Sequence, residues 1–495
     1  MNKSAKVAAL ALGGIAVIAA GWAGASIYAG RIAAAEMRSL AAREPLGLGV
    51  SIAAARHDTG LFSSGGTFEV RFDEHCDTTG AVGGIALKVD YRVSHLIRPG
   101  SMMRFDWTMV PSGEVGAVLS KVTNGALRVD GQGTVGYGRQ VVSSLAMPEL
   151  VLGSGAQALR VSAGSGQAKL AGSAFGMQWK TERIAGRGAG SALEVLNFGI
   201  DVDLQDRVRG TGSMALSIDR VGTIFGTAEG FRLVTAAAER GDRTDVTITP
   251  SLRALTMRAQ KASDLSMQIS VRDLHTASLE AIQKIGHDSC GFKSLKAEEE
   301  QKLRAAVRMA LTGGLSLGIT EVKGTIGDGS LDGFLKIELK KAAQAAVVAA
   351  GAAPVAIELA NLLTSSGEIT VKGNAINADQ RQMAVGMGIA TEVPGGLKAT
   401  FEYADGLFKA NGRVFDASAV QVALSTADRR LNTFLGVSMP ARSEPGEGLA
   451  PGPDVSGAAS LAAPARPASP VNSAAPSGAN NAAGAPNTYP ANTSR

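Results

Sequence analysis

Apolar and polar residues alternate through much of this chain. Leu87, Val89, Tyr91 and Val93 interleave with Lys88, Asp90, Arg92 and Ser94, and Phe105, Trp107 and Met109 with Arg104, Asp106 and Thr108. Further on, Phe198, Ile200, Val202 and Leu204 are separated by Gly199, Asp201 and Asp203. Met214, Leu216 and Ile218 repeat the pattern, as do Leu265, Met267, Ile269 and Val271. A side-chain period of two sends one set to an apolar face and the other to water. Gly-rich breaks fall between the runs at the spacing of an antiparallel meander. The pattern predicts a large antiparallel sheet from about Gly65 to Arg272.

Beyond Arg272 the period changes. Ser278–Ile285 and Ser294–Leu311 carry helical spacing, the second with Ser294 as N-cap and Gly313-Gly314 as its stop. Glu298–Glu300 in that helix reads as a solvated face. Strands return at Gly318–Lys323, Leu335–Leu339 and Ile369–Lys372, with an Ala-rich helix expected around Lys340–Leu363. Phe401–Tyr403, the turn Ala404-Asp405-Gly406 and Leu407–Asn411 predict a final hairpin. From about Pro440 the chain is Ala, Pro, Ser, Gly and Asn, a composition that cannot bury enough apolar surface to order itself. The fold class is therefore α+β and β-dominated: a large antiparallel sheet, a C-terminal helical part and a final hairpin. The expected divisions are an anchor at 1–30, a β-rich domain at 31–272, a helix-containing part of the same body at 273–439 and a disordered tail at 440–495.

The N-terminus fixes the expected compartment. Lys3 and Lys6 precede an uncharged apolar run from Val7 to Ala29. Roughly 20 such residues cross a bilayer as a helix. Ala23-Gly24-Ala25 fits a signal-peptidase site, so cleavage is the alternative. Apolar character continuing to Tyr28, with Trp22 and Tyr28 at the distal end, favours an uncleaved transmembrane helix. The expected placement is a single-pass bacterial inner-membrane protein with its C-terminal body in the periplasm, and with the membrane as first partner.

Composition narrows the function classes. The chain has 495 residues, 45% of them hydrophobic but only 4% aromatic, so its apolar face rests on Val, Leu, Ile and Ala. Its formal net charge of +5 is spread among interleaved acids and bases, which leaves no patch for nucleic acid. Cys76 and Cys290 could form one disulfide in an oxidising compartment or remain two thiols.

Four motifs tempt a catalytic or cofactor reading, and each fails on context. Gly131-Gln132-Gly133-Thr134-Val135-Gly136 fits G-x-G-x-x-G, but a dinucleotide fingerprint must open a helix and this one reads as strand and turn. Gly314-Leu315-Ser316-Leu317-Gly318 fits the nucleophile elbow, but it runs helix to strand, and no histidine follows His287. The histidines at His57, His75, His95, His275 and His287 lack metal-ligand spacing, with His57-Asp58 and His75-Cys76-Asp77 the only local groups of ligand chemistry. Asp201 and Asp203 share one strand face, where carboxylates are usually just solvated. No catalytic residue, metal ligand or cofactor is assigned.

Several short motifs, in order, resemble a known family. Met1-Asn2-Lys3-Ser4 leads into the apolar run and Tyr28-Ala29-Gly30-Arg31; Thr59-Gly60-Leu61-Phe62-Ser63-Ser64 precedes the first clear strand; Tyr403-Ala404-Asp405-Gly406 and Asn411-Gly412 lie near the end. In these the chain is similar to the YdgA-like bacterial proteins, a Gram-negative envelope family of unknown function. The resemblance spans about residues 1–440. It implies an inner-membrane anchor, a large periplasmic β-rich body and C-terminal helices before a last hairpin, and it brings no catalytic residues.

Two function classes follow. One is a binding or structural protein of the cell envelope, whose apolar sheet face either curls into a groove for lipid acyl chains or is an ordinary core under the helices; an envelope protein is the other possible partner. The second is a periplasmic hydrolase whose site converges from distant segments. An open apolar concavity points to the groove; a pocket gathering His57, His75 or His275 with carboxylates points to the hydrolase.

Overall fold

The structure, a computed structural model, describes residues 50–72, 86–123, 125–153, 155, 158–188, 191–207, 209–258, 260–289, 292, 295–341, 356–416 and 418–437. The expected anchor at 1–30, His75, Cys76, Asp77, Cys290, Ser294 and the tail at 440–495 lie outside the described residues.

The described residues open with strands β1 (Val50–Thr59), β2 (Ser63–Phe72), β3 (Ala86–Ser94) and β4 (Met103–Ser112), then helix α1 (Gly113–Val122). Strands β5 (Val129–Val135), β6 (Val141–Met147), β7 (Leu150–Leu152), β8 (Leu159–Val161) and β9 (Gly164–Ala171) follow. The longest strands come next: β10 (Ala174–Gly188), β11 (Ser191–Asp206), β12 (Thr211–Thr223), β13 (Gly226–Arg240), β14 (Arg243–Met257) and β15 (Gln260–His275). Helices α2 (Thr276–Asp288) and α3 (Ala297–Thr312) lead to β16 (Leu315–Ile326) and β17 (Gly329–Leu339). Helix α4 (Leu359–Leu362), β18 (Leu363–Lys372), α5 (Ala378–Gly386), β19 (Thr391–Val393), β20 (Gly396–Ala404), β21 (Leu407–Ala410), β22 (Arg413–Phe415) and α6 (Ser418–Phe434) complete it.

The 22 strands among the described residues belong to one antiparallel sheet. Except for β7, β8 and β19, they form a single ladder in which each strand pairs with its predecessor in the chain. The ladder starts earlier than Gly65, at Val50, and does not stop at Arg272: β15 pairs β16, which carries the sheet through the C-terminal part. The predicted final hairpin is β20–β21, closed by Asp405 and Gly406 at φ of 51° and 78°. Positive φ at both central residues is the type I′ geometry whose twist suits a hairpin.

The helices differ more from expectation. α3 starts at Ala297, with Lys296 rather than Ser294 at the N-cap. Glu299 Oε2 returns to accept from the Lys296 backbone N–H at 2.9 Å, half of a capping box, and three glutamates suit the positive end of the helix. Glu298 and Glu300 pair with Lys302 and Arg304 one turn on, at 2.6 and 2.7 Å. The helix expected over Lys340–Leu363 reduces, among the described residues, to the single turn α4; Leu363 already belongs to β18. α1, α5 and α6 were not expected from spacing. In α1, Gly113, Gly116 and three valines blur the helical signal. α6 follows the last hairpin rather than preceding it, and it is held from outside by the segment at 356–362.

The register makes the sheet amphipathic throughout. Residues paired across an antiparallel ladder share a face. One such row runs Ala168, Met177, Val202, Met214, Thr235, Ile248, Ile269, Ile319, Leu335, Gly367 and Phe401 without a charge. The opposite face carries ion pairs such as Lys336–Glu338, Lys323–Glu321 and Lys398–Glu368.

A crease crosses the long strands. Apolar positions there step by three instead of two: Val195 to Phe198, Ile218 to Val221, Ala228 to Phe231, Leu252 to Leu255 and Ala262 to Leu265. On this line Asn197, Gly230 and Asp264 have φ of 52°, 65° and 52°. A left-handed residue inside a strand shifts the alternation as a bulge does and increases the local twist. The apolar residues thereby stay on one face on both sides of the crease.

Candidate functional site

The apolar face is the largest chemical feature of the molecule, and the middle of it has no lid among the described residues. Between Ala174 and Gln260 the described residues include no buried apolar side chain. Trp179, Ile200, Leu216 and Leu233, aligned on successive strands, are half-buried, while Met214 and Ile248 are 44% and 36% exposed. The helices do not cover them. α2 and α3 pack on each other and approach the sheet at β15 and α1 approaches β3 and β4.

On β11, Phe198, Ile200, Val202 and Leu204 are half-buried while Asp201, Asp203 and Gln205 are exposed, so the apolar side is the less exposed one. The five strands β10 to β14, at about 4.8 Å spacing with four same-face positions each, span roughly 650 Å². Soluble monomers rarely expose an apolar patch beyond a few hundred Å².

Aromatic rings lie flat on this face because glycines make room for them. A Cβ at Gly131 would sit 2.1 Å from the Trp107 ring, and one at Gly133 2.3 Å from the Phe105 ring. Trp107 Nε1 donates to Ser143 Oγ at 3.0 Å. The G-x-G-x-x-G run is therefore strand β5 making space for rings on β4, the context in which a dinucleotide fingerprint was not expected.

The polar groups singled out in the sequence are not brought together. His57 Nδ1 hydrogen-bonds Tyr91 Oη at 2.7 Å on β1 and β3, and burial, then the Asp58 charge, raises the Tyr91 phenol. His275 Nδ1 bonds Ser278 Oγ at 2.9 Å at the start of α2. Asp201 is exposed and accepts from Gln178 at 3.1 Å. His287 lies in α2. Among the described residues, no group of three or more His, Cys, Asp or Glu could hold a metal ion.

Spacing missed one pair. His95 is fully buried, and its Nε2 lies 2.8 Å from the buried Ser64 Oγ, while its backbone N–H donates to Phe62 O at 2.8 Å. Burial, then the nearby His57, lowers the imidazole. A Ser–His pair has nucleophile chemistry, but with His95 at 0% and Ser64 at 5% exposure no substrate reaches it. It clasps the β1–β2 turn to the end of β3. Its only signal was the Thr59–Ser64 motif, which builds that turn.

A second concavity, about 780 Å³, lies near the β10–β13 hairpin ends. Arg160, Arg183, Arg187 and Arg220 line it with Glu149 and Glu194. Arg183 pairs with Glu194 at 2.7 Å and Arg160 with Glu149 at 3.9 Å.

Sheet and site together define a class: an amphipathic antiparallel meander with one long apolar face that no described residue covers in its middle. The chain belongs to the bacterial family of proteins of unknown function DUF945, whose pattern matches residues 1–417. No curated protein and no solved structure matches it. Among the described residues, no helix is long and apolar enough to cross a membrane, and the apolar run at 7–29 lies outside them.

Proposed function

We propose that this chain is a non-catalytic protein of the Gram-negative envelope that holds lipid acyl chains against the apolar face of its sheet. In this reading the segment at 1–30 anchors it in the inner membrane and the body stands in the periplasm. The observation that carries it is the absence of any buried apolar side chain among the described residues from Ala174 to Gln260. A sheet whose face were an ordinary core would bury those side chains under a second layer. The apolar band from Phe198 to Leu204 runs about 20 Å along its strand, against about 15 Å for one leaflet of a hydrocarbon core about 30 Å thick. It offers no charge to an aliphatic ligand and accepts it lengthwise.

Native mass spectrometry on the full chain, gently extracted from its host membrane, tests this. The expected result is phospholipid or other acyl-chain adducts at defined stoichiometry. Replacing Leu216 and Leu233 together by Glu should remove the adducts while far-ultraviolet circular dichroism stays that of the parent. A ligand-free parent, or adducts that survive the double substitution, would leave the face as bare structure and favour an interaction scaffold.

A further inference from the structure

We infer that one edge of the sheet is a docking surface for an anionic lipid bilayer. The register lines up the tips of successive hairpins on that edge: Thr223 pairs Gly226, Met257 pairs Gln260 and Ile326 pairs Gly329. The tip between β12 and β13 is Ile224-Phe225, 56% and 62% exposed. Two-residue hairpin turns take Asn, Asp and Gly, because those side chains tolerate the backbone and water. The β16–β17 tip on the same edge obeys this with Gly327-Asp328, as does the β20–β21 turn at the opposite edge with Asp405-Gly406. An Ile-Phe pair has no such reason to be there. Met257 and Ile326 on the neighbouring tips are also about half exposed.

Exposed cations gather around these apolar tips, with the exposed acid Asp328 among them. Arg187, Arg220, Arg258 and Lys261 are exposed, and none of them enters an ion pair among the described residues. Arg187 and Arg220 open onto the 780 Å³ concavity, which has space for a headgroup. Apolar side chains that enter the acyl boundary, ringed by unpaired Arg and Lys, are complementary to a surface of anionic headgroups above hydrocarbon. A protein partner would present acids at fixed places, whereas these cations follow the edge. The chain from 1–49 also enters at this edge, since Val50 pairs with Phe72 at that end of β1. The inference goes beyond the acyl-chain reading and stands whether or not the face carries a ligand.

The test uses the full chain in phosphatidylcholine vesicles with and without phosphatidylglycerol, the acyl chains brominated to quench tryptophan. Trp22, Trp107 and Trp179 of the parent set the baseline. Phe225→Trp should add emission that is quenched, and more so with phosphatidylglycerol. Leu61→Trp, at a 65% exposed position on the opposite edge, should add emission that is not. In the Phe225→Trp background, replacing Arg187 and Arg220 by Glu should lower the ratio of quenched to unquenched probe by about fivefold or more per residue. Raising salt should do the same without any substitution, which covers the case in which the charge variant fails to fold. Equal quenching of the two probes, no quenching of the Phe225→Trp probe, or quenching indifferent to both salt and phosphatidylglycerol would overturn the proposal.

Discussion

The C-terminal clasp and the middle of the sheet are built from the same residue types and hold together in opposite ways. In the clasp, Ile357, Leu397, Tyr403, Ala410 and Leu435 are buried, and Asn432, also fully buried, binds the Ile357 backbone through both amide atoms at 2.8 and 2.7 Å. Asp428 accepts from the Leu359 N–H at 2.8 Å, and burial raises its carboxyl above the ordinary range. In the middle, strands of 13 to 16 residues meet through their ladders and through exposed polar pairs such as Gln178–Asp201 and Arg183–Glu194, with every described apolar side chain at least part-exposed. The first region is closed by side chains; the second is held by backbone and leaves its side chains free to meet something else. Persistence of a fold and availability of a surface are thus assigned to different parts of one sheet.

The largest test of this division is a pair of truncations. Leu397→Ala in the clasp should cost about 2–5 kcal/mol, as deletions in closed cores do. Leu216→Ala in the middle should cost about 1 kcal/mol or less, because water already reaches the site and no cavity forms. Urea unfolding compares the two; equal losses would mean that a second layer covers the middle. Asn432→Ala comes next, at about 2–4 kcal/mol, since it strands a buried N–H and C=O at Ile357. Hydrogen exchange should show α6 opening first.

A pH test reaches the third buried region, at Ser64 and His95. The folded state holds the His95 imidazole below its ordinary value of about 6.5. The unfolded chain therefore binds the proton more readily, and stability, complete above that value, falls as the pH drops from it toward the folded pKa. His95→Gln should flatten that slope between pH 7 and the onset of general acid unfolding; an unchanged slope would remove the burial argument. Ser64→Ala, which leaves Nε2 without its partner, should cost about 1–2 kcal/mol. The smallest effect is expected at the crease. Asn197→Ala keeps the β-carbon at φ of 52° but removes the short polar side chain that suits it, with its hydrogen bond to Asp219, and should cost about 1 kcal/mol, whereas Asn197→Gly relieves the backbone and should offset part of that loss.

The sheet was legible because a period of two is a strong signal where one face is polar: Phe198–Leu204 and Leu265–Val271 read directly as strands. The crease was not, although the three-residue steps at Val195–Phe198 and Ala228–Phe231 are written in the sequence, because a broken alternation looks like the end of a strand. α1 and α6 escaped because Gly116, several valines and a scatter of polar residues give no clean helical stripe. The Ser64–His95 clasp joins residues 31 positions apart, a pairing that no local spacing encodes. The motifs carrying the family resemblance were visible but mute: Thr59–Ser64, Asp405-Gly406 and Asn411-Gly412 shape turns, with Asn411 Oδ1 accepting from Thr400 N–H at 3.0 Å. The candidate face was legible as an apolar face, but whether anything covers it depends on tertiary packing.

That each ladder strand pairs with the one before it makes the molecule nearly one-dimensional, so its cohesion is a sum over neighbours, as in repeat proteins. Such a chain can assemble in the order in which it is synthesised, each hairpin finding a finished template and no long loop needing to close first. It can also change length in steps. Adding or removing two adjacent strands preserves direction, register and the sidedness of every residue beyond the change, whereas losing one strand reverses the run of all that follow. Relatives of this chain should accordingly differ in reach by whole hairpins, most readily among the long strands from β10 to β15, where no buried apolar side chain would have to be replaced.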